Sequence, residues 1–412
     1  MQEREISVST LSNGFTVIGE PRSTGLQSVS LCLYLSIGVL LDVEERLGAG
    51  LLLAELFNRG STRLASKEFR AEFERRGINF VSGGGFDRCV VRIDCMSDQL
   101  DFALAHTFEA ISQPRFDDES ALQEAKRTLL NDIRARDDEP AGIAANRLVE
   151  WLFPSPFNRP REGSISGIEG ASGEFLAELH AGMSQTTGAL LAWCGDASQE
   201  RIESLLSKHA NFSATRKISL PTCGALIPRK VAPLHIEHPV EQRSVMIGFE
   251  SAPVTEAGYF PAKVASLCLG GGLFARLFNE LREKRGLVYD ISCSHSSNRE
   301  RGWMVVGFAC ETSRFSTALE LTQEIFRGFS PTEQELTRAQ RQVRLMLAAG
   351  AEARSSRCET LAAEYFFHGR IRGEQELVSA VQAVDERQIL TLFERYPPFT
   401  NFVQVSVGGE LS

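Results

Sequence analysis

The chain has 412 residues, enough for two or three domains of roughly 150 residues each. Hydrophobic residues make up 43% and charged residues 24%, the balance of a folded globular protein, so a disordered, collagen-like or low-complexity chain is excluded. The 44 basic and 53 acidic side chains leave a net charge of −9, which argues against a general nucleic-acid or anionic-membrane binder because both need a basic surface.

The sequence also indicates where the chain works. No apolar run is long enough to span a bilayer, and the first residues, M-Q-E-R-E, carry acids where an export signal needs a basic stretch and then an apolar one. The nine cysteines are odd in number and contain no C-x-x-C pair, which is typical of free thiols in a reducing compartment. We therefore predict a cytoplasmic protein without a membrane span, or a periplasmic one if an export signal has been removed.

The first half alternates strand-like and helix-like segments. Period-two or continuous apolar runs predict strands at residues 15–19 and 28–34 and a strand pair over residues 77–94. Apolar residues at helical spacing predict helices at residues 47–57, 66–76, 99–113 and 118–136. Gly60 and the polar residues after it supply a stop and a new cap between the first two helices.

The pattern lapses near the middle of the chain. Residues 216–233 lack apolar periodicity and contain a Pro-Thr-Cys-Gly turn, which predicts a linker between a first domain, residues 1–215, and a second, residues 234–412. The glycine-led segment 270–278 resembles segment 48–57 of the first half. We therefore expect a duplication, in which strands, a helix, a strand pair and long helices occur twice in the same order.

Several motifs are similar to those of a known peptidase family. Residues 11–14 read L-S-N-G, residues 114–117 read P-R-F-D, and residues 281–289 read L-R-E-K-R-G-L-V-Y, close to the family pattern L-R-E-K-x-G-L-x-Y. Through these motifs nearly the whole chain resembles the pitrilysin/insulinase family of zinc peptidases, in particular the short two-domain type of the mitochondrial processing peptidase subunits. The resemblance implies an α+β fold of two duplicated domains, each a mostly antiparallel sheet packed by helices on one face.

The zinc motif of this family is missing. Active members carry H-x-x-E-H on the helix after the first strands, with two histidine ligands and a glutamate that activates water. The corresponding positions here are Leu51, Ala54 and Glu55, and Asn131 or Asp132 stands where the resemblance places a third, glutamate ligand. Because leucine and alanine offer no lone pair to a metal, we expect no metal in this chain, an apolar core helix in place of the site, and zinc in a partner subunit.

The same resemblance implies a substrate-binding role for Arg282 and Tyr289 in the second domain. An arginine can hold a peptide carbonyl or carboxylate with two donors, and a tyrosine hydroxyl can donate to a developing oxyanion. The residues alone allow a plainer interpretation, in which residues 282–285 form a solvated helix face and Tyr289 lies in a strand core. A continuous helix would place both side chains on one face, unless Gly286 ends the helix first.

Three consecutive glycines, Gly83, Gly84 and Gly85, form a second candidate substrate-binding site. In the family the equivalent strand is an open sheet edge to which substrate adds as a further strand, and glycines let a second backbone approach closely. A glycine-rich turn or bulge explains the same residues equally well, so the sequence leaves both interpretations open. No Gly-Lys-Ser or Gly-Lys-Thr follows, so the glycines do not indicate a phosphate-binding loop.

These observations lead to an expected function. The chain is expected to be a non-catalytic subunit of a two-chain zinc metallopeptidase that degrades or processes peptides. Its partners would be a homologous subunit with the zinc motif, in a heterodimer, and unfolded peptide. A structural or peptide-binding scaffold with the same fold and no proteolysis is the main alternative. A weaker one is a hydrolase that acts alone through Glu55 and Asp132, for which the sequence offers no complete set of metal ligands.

Overall fold

The computed structural model describes residues 5–23, 25, 27–183, 186–187, 189–210, 216–217, 220–226 and 233–409. The chain forms two compact units, each assembled from separate stretches. The first unit comprises Met1–Arg134, Arg159–Pro221 and Gly350–Phe366, and the second comprises Ala135–Asn158, Thr222–Ala349 and Phe367–Ser412. Part of the predicted linker, residues 218–219 and 227–232, lies outside the described residues, and the domain boundaries at 215 and 234 stay a prediction.

Strands and helices occur in both units, with a run of consecutive helices after β5 and another after β12. The strands are β1 (Ser7–Thr10), β2 (Thr16–Pro21), β3 (Ser28–Leu35), β4 (Asn79–Gly84), β5 (Cys89–Met96), β6 (Thr186–Thr187), β7 (Leu190–Gly195), β8 (Arg216–Lys217), β9 (Leu234–Glu237), β10 (Gln242–Ser251), β11 (Asp290–Ser297), β12 (Gly302–Glu311) and β13 (Phe402–Gly408). The helices are α1 (Ala49–Phe57), α2 (Ser66–Arg75), α3 (Leu100–Ser112), α4 (Glu119–Asp137), α5 (Pro140–Leu152), α6 (Ile165–Gly170), α7 (Gly173–Met183), α8 (Gln199–His209), α9 (Tyr259–Gly270), α10 (Phe315–Arg327), α11 (Glu333–Glu352), α12 (Arg354–His368), α13 (Glu374–Gln382) and α14 (Glu386–Arg395). A π-helical turn, Phe278–Glu283, lies between α9 and β11.

The first unit is built on a six-stranded sheet with the order β1-β2-β7-β3-β5-β4. β2 and β7 run parallel, and the other neighbouring strands are antiparallel. Leu31 and Leu33 on one face of β3 lie in the main apolar core, which α1, α2, α3 and α8 also line. Among the described residues β4 is the last strand of this sheet, so that its outer side is an edge.

The second unit repeats this topology. Its five-stranded sheet has the order β9-β13-β10-β12-β11, in which β9 and β13 are parallel and the other neighbours antiparallel. This matches β2-β7-β3-β5-β4 strand for strand, so the predicted α+β duplication is confirmed. The predicted match of segment 48–57 with segment 270–278 is wrong, because α9 follows β10 as α1 follows β3. A glycine before an apolar run is too common a pattern to fix the register of a repeat.

Each unit takes one helix from the other half of the chain. In the first unit, α12 covers the side of β3 opposite the main core, where Cys358 Sγ donates to the Ser30 carbonyl at 3.1 Å. The same helix contributes Arg357, whose Nε lies 2.6 Å from Oε2 of the buried Glu20. In the second unit, α5 packs on β10 and β13 through an apolar cluster that includes Leu148. Helices were predicted on one face of each sheet. In the structure, a single helix also covers the opposite face of each sheet.

Candidate functional site

The helix that stands at the position of the family zinc motif, α1, lies directly against the edge strand β4. A Cβ atom added to Gly84 would lie 2.8 Å from Cα of Leu51 and 3.3 Å from Cβ of Ala54. Only glycine allows the helix and strand to approach this closely. Leu51 is 6% exposed and Ala54 is completely buried. Apolar side chains therefore fill the place where the resemblance puts a zinc ligand and a catalytic glutamate.

The third motif position, Glu55, is part of an ion cluster at the end of α1. Arg59 Nη2 donates to Oε1 of Glu55 at 2.7 Å and to Oγ1 of Thr128 at 3.2 Å, and its Nη1 donates to Oε2 of Glu124 at 3.0 Å. Arg59 is only 8% exposed, so the cluster places a nearly buried cation between α1 and α4. A cation in such a position needs its carboxylate partners, because the protein interior solvates charge poorly. Arg59 thus links α1 to α4 through hydrogen bonds to side chains of both helices.

The residues around α1 do not fit a zinc ion. Zinc takes nitrogen, sulfur or carboxylate oxygen ligands, whereas Leu51 and Ala54 offer none, and Glu55 already accepts hydrogen bonds from Arg59 and Asn58. A guanidinium beside Glu55 would also repel a metal cation. Asn131 and Asp132, the positions predicted to replace the third ligand, are both exposed on α4. In the part of the chain that the structure describes, no three His, Cys, Asp or Glu side chains are placed to hold a metal.

The N-terminal end of α1 is held by a buried carboxylate. Oδ2 of Asp42 accepts from the Gly48 amide at 2.7 Å, and Oδ1 accepts from the Gly50 amide at 2.9 Å. Asp42 is 6% exposed, and burial raises the pKa of its carboxyl to about 6, against the two amides, which favour the charged form. Gly48 has a φ of 105°, a left-handed conformation that other residues adopt at a cost. This cap fixes where α1 begins and therefore which residues reach β4.

The predicted glycine site has features of both interpretations. Gly83 and Gly84 lie in the edge strand β4, and Gly85 begins the turn to β5, where its amide donates to the Arg88 carbonyl at 2.8 Å. Part of the edge already has neighbours within the chain. The Val39 amide donates to the Gly85 carbonyl at 3.3 Å, and Gly85 forms a parallel bridge with Gly38. Whether these glycines bind substrate stays a prediction.

Asn58, which follows the last residue of α1, also contacts the edge. Its Nδ2 donates to the Ser82 carbonyl at 2.8 Å, and its Oδ1 accepts from the Ser82 amide at 2.8 Å. Nδ2 lies in addition 3.0 Å from Oε2 of Glu55. One side chain thereby joins the edge strand to the ion cluster.

Arg282 lies in the π-helical turn of the second unit and is exposed. Its guanidinium carbon lies 4.9 Å from the ring centre of Phe278, a cation–π contact. The neighbouring cations Lys284 and Arg285 both pair with Glu280, at 2.6 Å each. Arg282 forms no ion pair within the described residues. Among Arg282, Lys284 and Arg285, Arg282 is therefore the one without a carboxylate partner in the described residues.

Tyr289 stands at the start of the edge strand β11. Gly286, with a φ of 61°, ends the helical turn, so Arg282 and Tyr289 do not share a helix face. Tyr289 is 46% exposed, and its hydroxyl donates to Oε1 of Glu311 at 3.0 Å. This hydrogen bond raises the pKa of Tyr289, which keeps the phenol protonated and able to donate. The plainer interpretation of Tyr289 as a strand core residue is wrong.

The cysteines offer no competing chemistry. All nine are buried and free of disulfide bonds. Burial raises the pKa of Cys89, Cys293 and Cys358 above the ordinary thiol value, to about 12 in Cys89 and Cys293. A thiol with such a pKa stays protonated and is a poor nucleophile near neutral pH.

Sequence reasoning missed three residues of the first unit. Asn58 and Arg59 follow Glu55 at helical spacing, and that pattern alone signals an i, i+4 ion pair. Glu124 lies 65 residues from Arg59 in the chain, and no local pattern links the two. Arg282 and Tyr289 were found through the family motif, and the structure adds that both are exposed.

Comparisons with known proteins agree with these observations. Residues 20–161 match the model described as insulinase, peptidase family M16, and residues 174–343 match the model described as the peptidase M16 inactive domain. Proteins named uncharacterized zinc protease are 22% identical in Rickettsia bellii, over 95% of both chains, and 20% identical in Bacillus subtilis, over 92% of this chain and 93% of the relative.

Solved structures share the fold. A peptidase M16 inactive domain from Pseudomonas fluorescens superposes with a TM-score of 0.89 at 22% identity, over 99% of this chain and 98% of that one. A protease from Helicobacter pylori superposes with a TM-score of 0.86 at 16% identity, over 98% and 99%. In the described part of the chain, no helix is long and apolar enough to cross a membrane. With both of its halves matched by models of that family, the chain belongs to the insulinase family of peptidases, M16, and its sequence contains no H-x-x-E-H motif.

Proposed function

We propose that the chain is the zinc-motif-lacking subunit of a two-chain metallopeptidase and supplies Arg282 and Tyr289 to a zinc site carried by a homologous partner. One observation carries the proposal. In the first unit the motif positions are packed or paired, whereas in the second unit Arg282 and Tyr289 are exposed and Arg282 has no ion-pair partner among the described residues.

The two side chains suit the chemistry of peptide hydrolysis. The Arg282 guanidinium can donate two hydrogen bonds to a peptide carbonyl or to a C-terminal carboxylate, which positions an extended substrate. The Tyr289 hydroxyl can donate to the oxyanion that forms when water attacks the scissile carbonyl. In the free chain that hydroxyl donates to Glu311, so substrate binding would require it to change acceptor. The zinc and the water-activating base belong to the partner in this scheme.

The proposed partner is a homologous subunit with the H-x-x-E-H motif, and the proposed substrate is unfolded peptide. A complete family site needs metal ligands and a glutamate base on one helix, which α1 lacks. A heterodimer would provide them without any change in this chain. Residues 83–85, at the edge of the first sheet, remain the sequence-based candidate for a secondary contact with substrate, since strand addition at a sheet edge uses main-chain groups. Such a contact would require Asn58 to release the main chain of Ser82.

The test is a reconstitution. This chain, a homologous zinc-motif subunit from the same genome, and their equimolar mixture are each assayed for bound zinc and for cleavage of an unfolded peptide. We expect this chain alone to be inert and free of stoichiometric zinc, and the mixture to cleave faster than the partner alone. Cleavage or stoichiometric zinc in this chain alone would overturn the proposal.

The same experiment separates the alternative function. If sedimentation velocity shows that the two chains associate, yet the mixture cleaves no faster than the partner alone, a scaffold or peptide-binding role is the better description. An Arg285→Ala variant is a matched control, because Arg285 lies in the same turn but pairs with Glu280. It should leave the activity of the mixture unchanged, whereas Arg282→Ala should weaken substrate binding.

A further inference from the structure

We propose that Asn58 closes the edge of the first unit's sheet by using its side-chain amide as a substitute for the backbone of a bound peptide. The ligand that Asn58 keeps from this position is therefore an extended peptide strand. The inference depends on the geometry of the first unit alone, and it can hold or fail independently of the role of Arg282 and Tyr289.

The contact has the geometry of strand pairing. In an antiparallel pair, one residue offers both its N–H and its C=O to a single opposite residue. Ser82 lies opposite Val91 of β5, yet its N–H and C=O are both engaged by Asn58, so they face outward. Both distances are 2.8 Å. A primary amide carries the same donor and acceptor as a peptide group, and Asn58 thus occupies the bonds that an added strand would form.

The end of the glycine segment also has hydrogen-bond partners within the chain, whereas Gly83 and Gly84 are exposed. The carbonyls of Gly85 and Phe86 accept hydrogen bonds from the amides of Val39 and Leu40, at 3.3 and 2.8 Å. Ser82 is only 4% exposed. A peptide strand that lies along this edge would have to displace Asn58 at one end and the segment before α1 at the other.

The ion cluster holds Asn58 in place. Oε2 of Glu55 accepts from Asn58 Nδ2 at 3.0 Å, while Oε1 of the same carboxylate accepts from Arg59 at 2.7 Å. The glutamate that stands at a zinc-ligand position therefore orients the residue that covers the edge. In this unit the loss of the metal site and the closure of the peptide site are parts of one arrangement.

The proposal and the predicted substrate contact at residues 83–85 lead to opposite results. If Asn58 closes the edge, wild-type chain does not bind peptide there, and removal of the amide opens it. If the glycines bind substrate freely, removal of the amide changes little.

Amide hydrogen exchange of the full-length chain tests the closure directly. In Asn58→Ala the Ser82 amide should exchange about fivefold to tenfold faster than in wild type, because it loses its acceptor. Asn79→Ala is the matched control, since Asn79 lies on the same strand but its amide donates to Asp94 instead of to the main chain of the edge. It should leave the exchange at Ser82 unchanged. Equal exchange at Ser82 in Asn58→Ala and wild type would overturn the proposal.

Peptide binding provides the second readout. Fluorescein-labelled, dephosphorylated casein serves as an unfolded probe, and all chains also carry Arg282→Ala so that the second unit contributes little. We expect Asn58→Ala to bind casein at least about tenfold more tightly than its Arg282→Ala parent, and Asn79→Ala to bind like the parent. Equal affinity of Asn58→Ala and the parent would overturn the proposal. Should Asn58→Ala fail to fold, Asn58→Ser, whose single hydroxyl cannot engage both groups of Ser82, replaces it.

Discussion

The two sheets end in equivalent strands, β4 and β11, whose surroundings differ. Beside β4, helix α1 buries eight of its nine residues, and Asn58 covers the main chain of Ser82. Before β11, residues 282–286 are all exposed, and along the strand the residues at alternate positions, such as Ser292 and Ser294, are exposed as well. One unit therefore has a buried apolar helix at this edge, while the other has exposed polar side chains at the corresponding edge.

This difference shows how two units with the same strand order can present different side chains at corresponding edges. Sheet order and register depend on the apolar faces of the strands, which both units retain. The side chains at the edge are not needed for that order. They can therefore be buried leucine and alanine in one unit and exposed arginine and tyrosine in the other.

The largest effect on stability is expected where α1 meets β4. Gly84→Val should lower the free energy of unfolding by about 1–3 kcal/mol, because its Cβ would lie 2.8 Å from Cα of Leu51 and the helix would have to move. Gly83→Val is the control, since a Cβ atom there meets nothing within 4 Å. Urea denaturation of both variants measures the difference. Equal free energies of unfolding for Gly84→Val and Gly83→Val would contradict the close contact between α1 and β4.

A smaller effect is expected from the ion cluster. Glu55→Ala should cost about 1–2 kcal/mol, because the nearly buried Arg59 loses one carboxylate and keeps only Glu124. Glu72→Ala removes ion pairs with Arg75 and Arg76 at the surface of the same unit, where water screens the charges, and should cost less than Glu55→Ala. Thermal denaturation can rank the two variants. A smaller loss in Glu55→Ala than in Glu72→Ala would contradict the structural role of the cluster.

A pH-dependent effect on stability is expected from the cap of α1. Burial raises the pKa of Asp42 to about 6, above the ordinary value of about 3.9, so between these pH values the folded chain binds a proton that the unfolded chain has released. The contribution of Asp42 to stability therefore falls as the pH rises from about 4 to about 6 and is constant above that. A shift of about two pKa units corresponds to about 3 kcal/mol, so Asp42→Asn should remove up to about 3 kcal/mol of this pH dependence. Urea denaturation midpoints of the wild-type chain and of Asp42→Asn, measured from about pH 4 to about pH 6, test this prediction. If the midpoints of both chains change with pH in the same way, Asp42 titrates normally and the prediction is wrong.

Much of the fold could be predicted because long elements have strong periodic patterns. The helix predicted at residues 118–136 is observed as α4, Glu119–Asp137, and the strand pair predicted over residues 77–94 is observed as β4 and β5. The short polar strand β1, Ser7–Thr10, carries too few apolar residues to be found. The transfer of α5 and α12 between the units was not predictable either, since amphipathic periodicity does not indicate which sheet a helix covers.

The candidate site was predictable only where a motif names the residues. The missing zinc ligands and the pair of Arg282 and Tyr289 follow from aligned motifs. The contact of Asn58 with Ser82, 24 residues away, depends on how α1 settles against β4, and no spacing rule contains that information. The residues that close the first site are thus visible only in the folded chain.

The most direct measurement of the central claim, that Tyr289 serves a zinc site on another chain, is the kcat of the reconstituted two-chain mixture with Tyr289→Phe. Tyr396→Phe is the matched control, because the Tyr396 hydroxyl also donates to a glutamate, Glu256, at 3.0 Å. Loss of an oxyanion donor should lower kcat about 10²–10³-fold in Tyr289→Phe, with KM little changed, and should leave Tyr396→Phe at the wild-type rate. A kcat in Tyr289→Phe equal to that of the wild-type mixture would contradict the claim.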